Sequence, residues 1–292
     1  MVFLGKPPIC GLDHLVLRLR IDLEDLVRIH RAGRLADVTG SSDAHRAAVT
    51  AAPTAVPAGV RQRWRITYRR EPVVADRVGR PAIESWAACL AESGLPVAGL
   101  DAGGGRARFA VGAPLPAGAG GEAELLEIWL TERLPAWWVR ERLEPVLPED
   151  HGWVAAEDVW LGAPSLPGQV AAADWRIELA SPRPSSPELG RLVTAARSLL
   201  ASASIPRVRM KGTTEKRYDL RPLVADLRVE PGPRPAVVAR TRFDAELGAG
   251  RPDEVIAALS DAAGTPVEIG TMTRIRLILA DDIGTADSAP RD

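Results

Sequence analysis

Lysine is nearly missing from this chain of 292 residues: Lys6, Lys211 and Lys216 are its only lysines, and arginine carries almost all the positive charge. Cysteine is rarer still, with Cys10 and Cys89 far apart in unlike contexts. Two thiols so placed imply no disulfide framework, fit a reducing cytoplasm, and are too few for an iron–sulfur cluster held by thiolates. Apolar runs are short, and none approaches the roughly eighteen residues that span a bilayer. The opening MVFLGKPPICGLDHLVLRLR breaks its apolar patch with Lys6 and two prolines, so neither a membrane partner nor a secretory signal is expected. With a formal net charge of -1, the chain as a whole does not attract nucleic acid, and any polyanion site must be a local patch.

What is present is a regular succession of short elements after about residue 60. Residues 1–60 end in TGSSDAHRAAVTAAPTAVPAGV, small, polar and proline-containing, and read as a loosely ordered extension and linker. RQRWRITYR then alternates Trp64, Ile66 and Tyr68 with arginines, the period of a half-buried strand. RPAIESWAACLAESGLP sets Ile83, Trp86, Ala87 and Leu90 at helical spacing, with Pro81 near the start and Gly94 at the close. RARFAVG and AELLEIWLTE predict two strands, PAWWVRERLEPVL a helix, and GWVAAEDVWL a strand. The same order recurs: DWRIELA a strand, SSPELGRLVTAARSLLASA a helix with Ser186 as N-cap, and IPRVRMKG a strand entering the lysine segment. DLRVEPGPRPAVVARTRF predicts two strands about a Pro-Gly turn, RPDEVIAALSDAAG a helix stopped by Gly264, and PVEIGTMTRIRLILA a last strand. The fold class expected is α+β: two tandem ferredoxin-like (βαββαβ) modules with antiparallel sheets, over 61–168 and 169–282, followed by a disordered tail at 283–292.

The concentration of lysine is the most unusual local feature. In KGTTEKRYDLRPLV, Lys211 and Lys216 flank an expected turn beginning Gly212-Thr213-Thr214, so two ammonium groups and two hydroxyls are placed to meet a phosphate. Asp219 and Arg221 follow two residues apart, either as a positioning pair on one face or with Asp219 capping the turn that Pro222 begins. The ligand or phosphate site read from this stretch is Lys211, Thr213, Thr214, Lys216, Asp219 and Arg221. Its bland alternative is a solvated hairpin whose charges stop edge-to-edge pairing.

Other motifs weigh less. Gly103 to Gly105 lack the spacing and the Lys-Ser/Thr of a phosphate-binding loop, which leaves Arg106 and Arg108 as a secondary basic patch. On the first strand, alternation turns Trp64 and Tyr68 inward and sends Arg61, Arg63 and Arg65 to water. Trp137, Trp138, Trp153, Trp160 and Trp175 suggest a hydrophobic seam between modules or with a partner. Cys10, His14, His30 and His45 do not assemble a zinc set, so no metal is expected. Glu122 and Glu124 read as solvated edge residues.

Five runs, GEAELLEIWLTERL, GAPSLPGQVAAADWRIEL, KGTTEKRYDLRPLV, GRPDEVIAAL and MTRIRLILADD, occur in order between about Arg61 and Asp282. In that order they resemble the radical SAM-linked proteins, a domain of unknown function fused to or encoded beside a B12-binding radical SAM protein. Two family features are replaced. Val78, Gly79, Arg80 and Pro81 stand where the family carries Ser-His-x-Asp, and DAGGGRA stands for a Gly-Phe-Asn-Pro-His-Pro-like loop, with only Arg108 matching the arginine that follows that loop in the family. The resemblance implies an accessory protein, without cofactor, that serves a radical SAM protein encoded nearby and binds RNA or docks onto that enzyme. The competing expectations are a stand-alone enzyme acting on RNA or a phosphorylated ligand, with Lys216 and Tyr218 or Asp219 in acid–base roles, and a scaffold that keeps only the fold.

Overall fold

The computed structural model describes residues 59–72, 82–100, 105–180, 184–211 and 214–282. The extension expected over 1–60, with Cys10, His14, His30 and His45, lies outside them except for its last two residues, as do Val78 to Pro81, Gly103, Gly104 and the tail at 283–292.

Strand β1 (Gln62–Arg70) follows its alternation on one side: Trp64, Ile66 and Tyr68 are buried. Helix α1 (Ala82–Glu92) packs Trp86, Cys89 and Leu90 onto them while Ile83 faces solvent. Beyond it, Gly94 takes the left-handed turn (φ +66°) that glycine adopts without strain. Strands β2 (Phe109–Val111) and β3 (Gly120–Leu130), helix α2 (Ala136–Leu143) and strand β4 (His151–Asp158) complete this half. A single turn, α3 (Leu166–Gln169), leads to β5 (Val170–Leu179) and α4 (Ser186–Ala201). The N-cap of α4 is Ser185, one residue before the expected Ser186. The Ser185 backbone N–H donates to the Glu188 carboxylate at 2.7 Å, part of a capping box that fixes the start.

After α4 come β6 (Pro206–Lys211), β7 (Thr214–Asp219), β8 (Val224–Glu230), β9 (Ala236–Asp244) and β10 (Gly248–Ala249). Helix α5 (Pro252–Ala263), stopped by Gly264 at φ +58°, and β11 (Ile269–Leu279) close the chain's described part. No helix among the described residues is long and apolar enough to cross a membrane.

The sheet is large and mostly antiparallel. The first half pairs its strands in the order β4-β1-β3-β2 and the second in the order β11-β5-β9-β8, every neighbour antiparallel. The two sets are not separate sheets. Strand β11 joins β3 in parallel, Thr273 opposite Gly120 and Arg274 opposite Gly121, making one sheet of nine strands. Space is tight at this junction: a Cβ on Gly121 would come within 2.5 Å of the Glu124 carboxylate, which folds back there to meet Arg274, so a side chain here would push that carboxylate aside.

Neighbouring residues of β3 serve different cores. Leu126, Ile128 and Leu130 pack under α1 and α2, whereas Leu125 packs against the core that α4 and α5 cover with Leu192, Ala195, Val255 and Leu259. The first core mixes aromatic and aliphatic side chains and the second is mostly aliphatic, and at roughly 25 cal/mol per Å² their burial is the main stabilising term.

Two expectations about charge fail for one reason. Arg63 does face away from the first core, but that side is roofed by the 163–169 segment, so its guanidinium is fully buried between Glu127 and the carbonyls of Ala163 (2.7 Å) and Pro164 (2.7 Å). Glu127 also accepts from Arg65 at 2.9 Å. Glu124, expected at a solvated edge, is buried against Arg274 because β11 abuts β3 there. Alternation assigns a face; it does not say what covers that face. The tryptophans likewise form no single seam: Trp175 is core, Trp138 and Trp153 are half-buried, and Trp137 and Trp160 are 62% and 75% exposed.

Candidate functional site

The lysine segment forms a separate two-stranded ribbon, in which β6 and β7 pair only with each other among the described residues. Its ladder sets Arg207 opposite Tyr218, Val208 opposite Arg217, Arg209 opposite Lys216 and Lys211 opposite Thr214. Strand pairing therefore extends to Lys211 and Thr214, and Lys216, expected at the edge of a turn, is a strand residue. Gly212 and Thr213 lie outside the described residues. Paired residues share a face, so positions 207, 209 and 211 lie on the same side as 214, 216 and 218. Over 206–219 the chain carries five cations, Arg207, Arg209, Lys211, Lys216 and Arg217, against two acids, Glu215 and Asp219. Arg217 and Glu215 pair at 3.0 Å on the exposed side, where Val208 is also exposed.

The base of the ribbon is firmly held, and two of the expected ligand residues do the holding. Asp219 Oδ1 accepts the backbone N–H groups of Ile205 (2.7 Å) and Arg221 (2.9 Å). Burial alone would raise the Asp219 pKa, but these donors, with Ser204 and the Arg221 charge, hold it below the usual carboxylate value. This is the capping role.

Pro222 ends the extended run, and the 3-10 turn at Arg221–Leu223 swings the Arg221 side chain under the end of α4. There it donates to the carbonyls of Leu200 (2.7 Å), Ser202 (3.2 Å) and Val224 (2.8 Å). A cation at the last carbonyls of a helix answers both their missing donors and the helix dipole. Arg221 is thus spent on the protein's own backbone. Below the ribbon, Arg207 reaches Glu254 at 3.3 Å and Asp261 at 2.6 Å on α5.

Toward the tip the arrangement changes. Arg209 lies over the Tyr218 ring at 5.2 Å, and Tyr218 packs on the second core with its hydroxyl buried and unpartnered among the described residues. Burial pushes the Tyr218 pKa up and Glu254 adds to this, against Arg209 and Arg207. Arg209, Lys211 and Lys216 were placed together by pairing; sequence reasoning found the two lysines and missed Arg209, whose period-two spacing from Lys211 was the available signal. The expected secondary patch divides: Arg106 is exposed, whereas Arg108 stacks on Trp129 at 5.2 Å, with Arg63 over the same ring at 4.9 Å.

A second cluster, invisible in the sequence, forms where β4 meets β1. His151 Nδ1 is 2.8 Å from Asp150, and Asp150 accepts from Arg70 at 3.0 Å. The imidazole stacks on Tyr68 (centroids 5.3 Å apart, 19°) and meets Trp86 edge-on at 5.5 Å. Burial lowers the His151 pKa despite Asp150, and it pushes Tyr68 up to about 12, with Glu124 contributing. A neutral imidazole and a protonated phenol tie strand to strand at neutral pH. Among the described residues no three His, Cys, Asp or Glu side chains gather to hold a metal ion.

Compared with known families, residues 105–256 match the one described as "Uncharacterized protein conserved in bacteria (DUF2344)". The match takes in β2 to the early part of α5, ribbon included. No curated protein matches the chain.

Proposed function

The chain belongs to that bacterial family, and we propose that it is a cytoplasmic accessory protein that binds RNA for a separate B12-binding radical SAM enzyme. Each half is read as a ferredoxin-like module, in keeping with the strand orders β4-β1-β3-β2 and β11-β5-β9-β8. The radical SAM partner rests on the resemblance of the five sequence runs. The observation that carries the RNA reading is the ribbon: five cations against two acids on a two-stranded arm, in a chain of net charge -1. Lys211, Lys216 and Arg209 contact phosphates in this account. Asp219 and Arg221 position the arm, and Thr214 lies on β7 opposite Lys211.

The accessory role is favoured over a stand-alone enzyme by the state of the two nearest proton carriers. Asp219 is held ionised by backbone donors, and the Tyr218 hydroxyl is buried with a raised pKa. Neither is disposed to exchange a proton with a ligand near neutral pH.

The test is retention of RNA by affinity-purified protein, together with mass analysis of that RNA. The wild type retains RNA and leaves its mass unchanged unless the radical SAM protein is added. Lys211→Glu with Lys216→Glu abolishes retention. Equal retention by the variant would refute the site, and cleavage or modification by the chain alone would refute the accessory role.

A further inference from the structure

We infer that the ribbon grips the phosphate backbone of double-stranded RNA, and does not hold single strands by base stacking. This rests on the RNA reading above and adds the kind of RNA that the site takes.

Single-strand binders combine a basic groove with aromatic rings on which successive bases stack, and sheet-based RNA domains carry those rings on the open face of the sheet. The second half offers neither. Its open face is a ladder of charges: Asp226, Arg240, Asp174 and Arg276 lie in register across β8, β9, β5 and β11. Arg240 and Arg276 both bind Asp174, at 2.7 Å and 2.9 Å, and Arg176 binds Glu230 at 2.6 Å. Those arginines are answered within the protein, and among the described residues no aromatic ring stands on that face. The ribbon has one aromatic, Tyr218, whose ring is covered by Arg209 and whose hydroxyl is buried. A base finds no platform there.

Cations without rings suit phosphates. Residues two apart on β6, such as Arg209 and Lys211, are about 6.6 Å apart along the strand, and the paired strand adds Lys216 across the ladder, about 5 Å away. This gives a short two-dimensional array of charge on an arm two strands wide. A-form RNA has a major groove too deep and narrow for side chains to read, with phosphates and 2′-hydroxyls accessible around its shallow minor groove. An arm of this kind therefore contacts the duplex by shape and charge, with little sequence preference.

The test uses the full chain and two probes: an RNA stem-loop of about 16 base pairs, the span of a typical duplex-binding module, and oligo-U of the same length. Fluorescence anisotropy is read across a salt series. The stem is expected to bind at least about tenfold tighter than oligo-U, and the charge-reversed Lys211→Glu/Lys216→Glu protein to lose about two units of the salt slope for the stem. Circular dichroism checks folding, and Lys211→Gln/Lys216→Gln gives a milder variant expected to lose part of the slope.

Equal or tighter binding of oligo-U would overturn the inference while leaving the RNA reading standing. So would binding that survives the lysine changes but is lost in Trp137→Ala/Trp160→Ala, because the exposed indoles of the first half would then be the platform. Binding of neither probe at low salt would overturn the RNA reading itself.

Discussion

Removing the carboxylate of Glu127 is the sharpest perturbation of the fold. Glu127 is fully buried and accepts from two arginines: Arg63, itself without solvent exposure, and Arg65, which is 12% exposed. In Glu127→Ala, Arg65 turns partly to water and keeps Glu157 at 3.2 Å. Arg63 cannot reach water. It keeps the carbonyls of Ala163 and Pro164, which satisfy donors without neutralising the charge. Leaving one member of a buried pair typically costs 3–5 kcal/mol, and the two surviving carbonyl bonds put this case at about 3. With a urea m-value of about 2–3 kcal/mol/M for a domain of this size, the midpoint falls by about 1–1.5 M. Replacing both partners by apolar residues of similar volume, Arg63→Met with Glu127→Leu, restores most of the loss, because the desolvation penalty disappears with the charges. The exposed pair Arg140–Glu144, 2.8 Å apart, is the control: Arg140→Ala shifts the midpoint little, since solvent screens such i,i+4 pairs. Urea titration followed by far-ultraviolet circular dichroism measures all three. A Glu127→Ala loss below about 1 kcal/mol, or a double variant as unstable as the single one, would refute the argument that Arg63 is trapped.

Arg221→Ala leaves carbonyls at the end of α4 without their donors and lowers stability by about 2 kcal/mol; limited proteolysis is expected to cut first within 206–219. Trp86→Ala empties the middle of the first core and costs about 3–5 kcal/mol by denaturant titration. His151 has a folded pKa below its ordinary value, so its share of stability is complete above about pH 6.5 and is lost as pH falls from there through the folded pKa. The His151→Phe protein should therefore show a flatter stability profile below about pH 6.5 than the wild type, and an unchanged slope would count against the buried neutral imidazole. Asp174 is also lowered: burial opposes this, but Arg240 and Arg276 outweigh it. Its contribution is present above about pH 4 and disappears as pH falls through the lowered value, so Asp174→Asn should blunt the acid-induced loss of stability.

The order of elements was legible because it depends on local signals. Trp64, Ile66 and Tyr68 gave a strand by period, and Gly264 marked the stop of a helix. The ribbon was half legible: IPRVRMKG reads as a strand, but nothing local says that Lys216 pairs with Arg209 and not with a turn neighbour, because register belongs to the pair. The burial of Arg63 and Glu124 was not legible, since each depends on a segment distant in sequence, the 163–169 cover in one case and β11 in the other. Arg221 shows the same limit at the candidate site. Its neighbours Asp219 and Pro222 announce a turn, yet the carbonyls that consume its guanidinium come from the end of a helix some twenty residues earlier. The Asp150–His151–Tyr68–Trp86 cluster joins three elements and leaves no trace in any one of them.

The most direct test of the central claim is to map where RNA touches the chain, by ultraviolet crosslinking to a bound stem-loop and mass spectrometry of the peptides. The account predicts that crosslinked peptides come from residues 206–219 and vanish in the Lys211→Glu/Lys216→Glu protein. Crosslinks confined to the first half, around Trp137 and Trp160, with none on the ribbon, would contradict it.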